Sequence, residues 1–336
     1  MRKTCLDLVY ELAKNDPRIF FIGSDLGAGA LQQFKEEMPD RYFMEGVSEA
    51  NIIGMAAGLA LEGKIVYVNT IATFITRRCF EQVALDLCLH NVKVRLIGSG
   101  GGLVYAPLGP THLAIEDIAI LRALPGMSII APADAEEMRR LMPATVDHPG
   151  PIYIRLAKGG DPIVTDGTIP FEIGKAFVMR EGADALIVST GILLKPALDA
   201  AEALRGNGVE AAVLHVPTLK PLDMDAIVRM AAGVPVIVTA EEHSTIGGLG
   251  SAVAEVVSEA NFSSPKRFKR IGIPDVFPDQ YGSQDSLMAH YGITAQTISK
   301  TVEELIGSPW QGVIAPPARR TAAKERQPGQ NVLPES

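Results

Sequence analysis

Short apolar runs separated by stretches of helical length leave this chain little choice of architecture. In its first half the runs are Ile19-Phe20-Phe21-Ile22, Arg41-Tyr42-Phe43-Met44, Ile65-Val66-Tyr67-Val68, Val92-Lys93-Val94-Arg95-Leu96-Ile97, Ser128-Ile129-Ile130 and Ile152-Tyr153-Ile154. Helical patterns fall between them, near residues 31–37, 49–61, 74–89, 115–124 and 135–146. Apolar strands alternating with helices predict a mostly parallel sheet covered on both faces, an α/β fold. Ligands of such sheets bind beyond the carboxyl ends of the strands. The pattern stops near Lys158-Gly159-Gly160-Asp161-Pro162 and resumes with Ala185–Val188, Ala211–Leu214, Val234–Val238 and Phe268–Ile273, as a second, smaller α/β domain. The reading is therefore two domains, 1–158 and 171–307, each a mostly parallel sheet with helices on both faces. A linker covers 159–170, and a Pro-, Arg-, Lys- and Gln-rich tail over 308–336 is expected to be disordered.

Composition removes several classes of function. The net charge is −8 with no basic stripe, which argues against nucleic acid. The apolar runs are too short and interrupted to span a bilayer, and Met1-Arg2-Lys3-Thr4-Cys5 lacks the apolar core of a signal peptide. Cys5, Cys79 and Cys88 have no metal-like spacing and cannot all pair, so they are read as reduced thiols of a cytoplasmic protein.

Three stretches could carry chemistry. In Gly46-Val47-Ser48-Glu49-Ala50-Asn51 a strand meets a helix, with Ser48 as a plausible N-cap. Glu49, Ile53, Ala56 and Ala60 share one stripe, apolar except for Glu49, which stands at the mouth of the sheet. Partial burial there would disfavour its charged form and suit it to moving protons; the plainer reading is a first-turn carboxylate complementing the helix dipole. In Thr73-Phe74…Phe80, two aromatics open a helix near the same mouth, placed either to sandwich a flat ring or to fill the core. In Gly109-Pro110-Thr111-His112, a turn presents a His at the start of a helix. The run Gly98–Gly102 lacks both the Lys-Ser/Thr of a P-loop and GxGxxG spacing. His243 is read as structural or at a subunit contact.

In this order the three stretches, followed by Ala131-Pro132-Ala133-Asp134 and Tyr153-Ile154-Arg155, resemble the second half of transketolase. The likeness to 1-deoxyxylulose-5-phosphate synthase is weaker, and that to the β subunits of 2-oxo acid dehydrogenases more distant. It covers residues 2–306, the pyrimidine-binding domain plus the C-terminal domain. The resemblance implies that thiamine diphosphate is the cofactor and that Glu49 hydrogen-bonds its aminopyrimidine, whose imino form takes a proton from the thiazolium ring. It implies that Phe74 and Phe80 line the ring pocket, that Asp25 sits near the cofactor, and that His112 faces the substrate. It also matches Arg2 and Arg155 to arginines that hold a sugar phosphate.

Departures from the family pattern narrow the expectation. Transketolases carry an Asp where Leu108 stands, a His at Gly100, a His at Ala50, an aromatic of the ring pocket at Arg77 and a phosphate-contacting Ser at Gly29. Leu108 removes a hydrogen-bonding group, so the donor is expected to lack a hydroxyl there or to present another group. The Gly-Asp-Gly…Asn motif that binds Mg²⁺ and the diphosphate has no match. The chain is therefore expected to be one subunit of a split transketolase, paired as a heterotetramer (α2β2) with a separate N-terminal subunit that supplies the Mg²⁺ ligands. The expected reaction is transfer of a two-carbon ketol unit between sugar-like substrates. The alternatives are another thiamine diphosphate carboligase, a 2-oxo acid dehydrogenase E1β-type subunit, or a non-catalytic partner retaining the fold.

Overall fold

The structure, a computed structural model, describes residues 1–24 and 31–307. The expectations for Asp25, Gly29 and the tail at 308–336 lie outside the described residues.

The strands in chain order are β1 (Ile19–Gly23), β2 (Tyr42–Met44), β3 (Ile65–Ile71), β4 (Val94–Ser99), β5 (Ser128–Ile130), β6 (Ile152–Leu156), β7 (Phe177–Arg180), β8 (Ala185–Ser189), β9 (Ala211–His215), β10 (Thr218–Lys220), β11 (Val236–Ser244) and β12 (Arg267–Ile273). They form two sheets, ordered β10-β5-β6-β4-β3-β1-β2 and β12-β11-β8-β9-β7. Every pairing is parallel except β10 with β5 and β7 with β9.

The two-residue period of the strands sorts the core of the first sheet. Phe21, Tyr67, Ile97 and Ile154 face helices Arg2–Asn15 and Ala135–Thr145, where they meet Leu6, Val9, Met138 and Leu141. Their neighbours Ile22, Val66, Val68 and Leu96 face the other way, onto Ile53 and Ala56 of helix Glu49–Leu61 and Leu87 beyond it. That second layer continues without a break into Leu186, Val188 and Leu214 of the second sheet.

Two strands escape the sequence pattern. β10 is Thr-Leu-Lys, with no apolar run to mark it, yet it returns from the second half of the chain to close an edge of the first sheet. β7 is a half-buried antiparallel edge. The helix expected at 74–89 is present but contains wide π turns at Phe74–Arg78 and Val83–Leu89, flanking a short α-helical stretch at Phe80–Gln82. Such turns re-aim side chains and are frequent at functional sites. The segment 159–170 is anchored by Asp134, which accepts hydrogen bonds from the Val164 and Thr165 amides at 2.7 and 2.8 Å while capping helix Ala135–Thr145. All three cysteines are free and buried. No helix among the described residues is long and apolar enough to cross a membrane.

Candidate active site

Beyond β2 the chain turns at Gly46, whose φ of +68° suits glycine, and enters helix Glu49–Leu61. Ser48 sits at the N-cap, but its hydroxyl donates back to the Glu45 carbonyl at 3.0 Å rather than capping the helix. Glu49 is 2% exposed, an uncommon position for a carboxylate. Arg78 reaches it from the π turn: its Nη1 donates to Glu49 Oε2 at 2.8 Å, and its Cζ lies 4.4 Å from the centre of the Phe74 ring. Phe74 in turn meets His112 edge-on, with ring centres 5.3 Å apart. His112 is held by its backbone carbonyl, which accepts from Thr73 Oγ1, and by Thr111 Oγ1 at 2.9 Å from its Nδ1. Glu49, Arg78, Phe74 and His112 thus form one contiguous row. Three of these stand out in the sequence; Arg78 does not, although it adjoins Arg77.

The other two ring-pocket candidates are placed differently. Phe80 is half-buried and packs against the core. Arg77 is engaged by the Glu116 carboxylate and donates to the Leu113 carbonyl at 2.9 Å, so its guanidinium braces the segment after His112.

A cavity of about 250 Å³ brings together Arg2, Gly100 and Leu108, three residues separated widely in sequence. Tyr105, Pro107 and Lys158 also line it. Among the described residues, neither Arg2 nor Lys158 has a charged or hydrogen-bonding partner for its side chain. Leu108 is half exposed and contributes apolar wall.

Arg155, expected to hold a sugar phosphate, is not among the residues lining this cavity. It is buried within β6, with Nε donating to Asp117 Oδ2 at 2.8 Å and Nη2 to the Ala114 and Glu242 carbonyls at 3.1 and 2.9 Å. Strand periodicity puts Arg155 on the same face of β6 as Tyr153, toward Asp117, whereas Lys158 lies past the end of the strand and lines the cavity. Around Arg155 lies a buried ionisable network. Tyr153 donates to Asp117 Oδ2 at 2.7 Å. His243 contacts the Ala119 amide at 3.3 Å and the Ser244 carbonyl at 2.7 Å, as a structural residue would. Burial pushes the Asp117 carboxyl up, but Arg155, His243 and its hydrogen bonds outweigh that and leave it below the ordinary carboxylate value.

Glu242 belongs to the same network and behaves oppositely. Its Oε1 accepts from the Leu103 amide at 2.7 Å and from Gln284 Nε2 at 2.9 Å. Burial dominates and raises its carboxyl from 4.5 to about 7, against the opposing pull of Arg155 and these donors. Between those values the unfolded chain releases this proton while the folded chain keeps it, so the contribution of Glu242 to stability falls as pH rises through that window. At about 1.4 kcal/mol per unit the fall is about 3 kcal/mol. Urea unfolding at pH 5 and pH 7 should therefore show a decline in the parent that Glu242→Gln largely removes. Parallel pH dependences in the two proteins would exclude a raised Glu242.

Comparison with known proteins agrees with this architecture. Residues 1–160 match the transketolase pyrimidine-binding domain, and residues 174–298 match the transketolase C-terminal domain. The chain is 40% identical over 306 residues to the 6-deoxy-6-sulfo-D-fructose transketolase subunit of Clostridium sp. (strain MSTE9), covering 91% of this chain and 94% of that protein. It is 38% identical over 307 residues to an apulose-4-phosphate transketolase subunit of Phocaeicola vulgatus, covering 91% and 97%. A solved split-gene transketolase, described as an inactive β4 tetramer, superposes with a TM-score of 0.82 at 37% identity, covering 91% of this chain and 97% of that one. With both domain types present over matching lengths, the chain belongs to the transketolase family, among the split subunits that carry the pyrimidine-binding and C-terminal domains.

Proposed function

We propose that this chain is the pyrimidine-side subunit of a thiamine diphosphate-dependent transketolase that acts on small sugars bearing a terminal anionic group. The observation that carries the reading is the row Glu49–Arg78–Phe74–His112 at the mouth of the first sheet, together with a cavity lined by two cations without a partner among the described residues. When bound, the cofactor supplies the carbon that carries a two-carbon ketol unit between sugars. The chain's residues that would meet its aminopyrimidine end are a buried carboxyl for a ring nitrogen and, across Arg78, the Phe74 ring. In this reading Glu49 hydrogen-bonds that nitrogen, Phe74 limits the ring's position, and His112 orients or protonates substrate hydroxyls. Arg2 and Lys158 attract the anionic end of the substrate, a task in keeping with relatives named for sugars carrying sulfonate or phosphate.

For the diphosphate end a second subunit is proposed. Among the described residues no group of three His, Cys, Asp or Glu side chains could hold a metal ion. Mg²⁺ needs oxygen ligands in near-octahedral geometry, so a second subunit is proposed to supply them in a heterotetramer. The solved relative described as inactive is a β4 tetramer, in keeping with that division of labour. A ring stack and one hydrogen bond leave affinity for the whole cofactor no better than about millimolar. Calorimetry on the purified chain with Mg²⁺ and thiamine diphosphate should therefore give millimolar binding or none. Micromolar binding, or ketol transfer without a second polypeptide, would overturn the two-subunit reading.

A further inference from the structure

Gly100 and Tyr105 occupy one another's space. Gly100 adopts a φ of +75°, and a Cβ built on it would lie only 2.1 Å from Tyr105 Cε2, so the ring takes the room a side chain at 100 would use. Tyr105 is half-buried and lines the same cavity as Arg2 and Lys158. Its hydroxyl has no hydrogen-bond partner among the described residues. The loop carrying it is held from behind: Glu242 accepts the Leu103 amide, and Gly102 lies so close to that carboxyl that a Cβ would sit 2.5 Å from it. Among the described residues, an unused phenol thus shares a cavity with two unpaired cations and no carboxylate.

We propose that Tyr105 is a specificity-determining residue, donating its phenolic hydrogen to the terminal tetrahedral oxyanion of the substrate, a phosphate or a sulfonate, that Arg2 and Lys158 attract. This rests on the anionic-sugar reading of the cavity and adds the group that fixes the anion's position. Guanidinium and ammonium supply charge; the phenol supplies a directed donor whose ring also sets the depth of the cavity. A hydrogen bond to a charged group is worth about 10- to 100-fold in affinity. Replacing only the hydroxyl should therefore be felt by anionic sugars and not by neutral ones.

The test is binding of fructose 6-phosphate, 6-deoxy-6-sulfofructose and unsubstituted fructose to the full-length chain, followed by ligand-observed NMR so that weak binding is measurable. The parent should bind at least one anionic sugar about tenfold or more tighter than fructose, and the tighter of the two identifies the oxyanion. Tyr105→Phe, which keeps the ring and its packing, should lose about tenfold or more for that sugar and nothing for fructose. Arg2→Ala should erase the preference for anions. If the parent shows no such preference, the anionic reading of the cavity fails, and this proposal with it. If the parent prefers the anion and Tyr105→Phe binds it equally well, only the role of Tyr105 is overturned.

Discussion

Replacing Glu49 by Gln or Ala should cost the enzyme, assembled with its diphosphate-binding partner, about 10²- to 10⁴-fold in turnover, the usual contribution of a positioned acid–base group. The size follows from position. Glu49 is buried at the first turn of its helix, with Arg78 as its ion-pair partner. Arg78 is itself half exposed, so removing the carboxyl leaves no desolvated cation behind, and the fold should tolerate the change. A turnover defect with unchanged urea midpoint is therefore the expected signature. Gln should do little better than Ala, because an amide fills the space but cannot exchange a proton. Near-normal turnover of Glu49→Ala at saturating cofactor would remove Glu49 from the mechanism and return it to the plainer role of complementing a helix dipole.

The row at Glu49 was largely legible because its members announce themselves locally. A carboxyl at the end of an apolar stripe, an aromatic after a strand and a Gly-Pro-Thr-His turn each break a pattern, and the α/β alternation says that they break it at one end of a sheet. Residues defined by tertiary direction were not legible. Arg77 and Arg78 are indistinguishable in composition, but adjacent helical positions point in different directions, and Arg77 goes to Glu116 while Arg78 goes to Glu49. Likewise Arg155 and Lys158 are both basic residues near the end of one strand, and one turns into the protein while the other faces the cavity. Tyr105 left no signal beyond the glycine it fills. Nor did β10, whose three residues lack apolar periodicity and gain their place only by pairing with β5.

Arg155 carries the largest stability effect we expect. Its guanidinium joins three segments of the fold: Asp117 from one helix, the Ala114 carbonyl before that helix, and the Glu242 carbonyl of β11 in the second sheet. Asp117 is fully buried, with one carboxylate oxygen taken by Arg155 and Tyr153 and the other without a hydrogen bond among the described residues. Arg155→Met keeps most of the apolar stem but strands that carboxylate away from its strongest counter-charge. Breaking a buried pair in this way costs about 3–5 kcal/mol, far more than the pair contributes over a well-packed apolar substitute. The double substitution Arg155→Met with Asp117→Leu should therefore be less destabilised than Arg155→Met alone, a coupling that only contacting groups show. Urea unfolding of the parent, both single variants and the double variant decides it. A loss below about 1 kcal/mol for Arg155→Met, in the range of exposed ion pairs, would mean that Arg155 is not the internal tie its contacts describe and would reopen a role at the substrate.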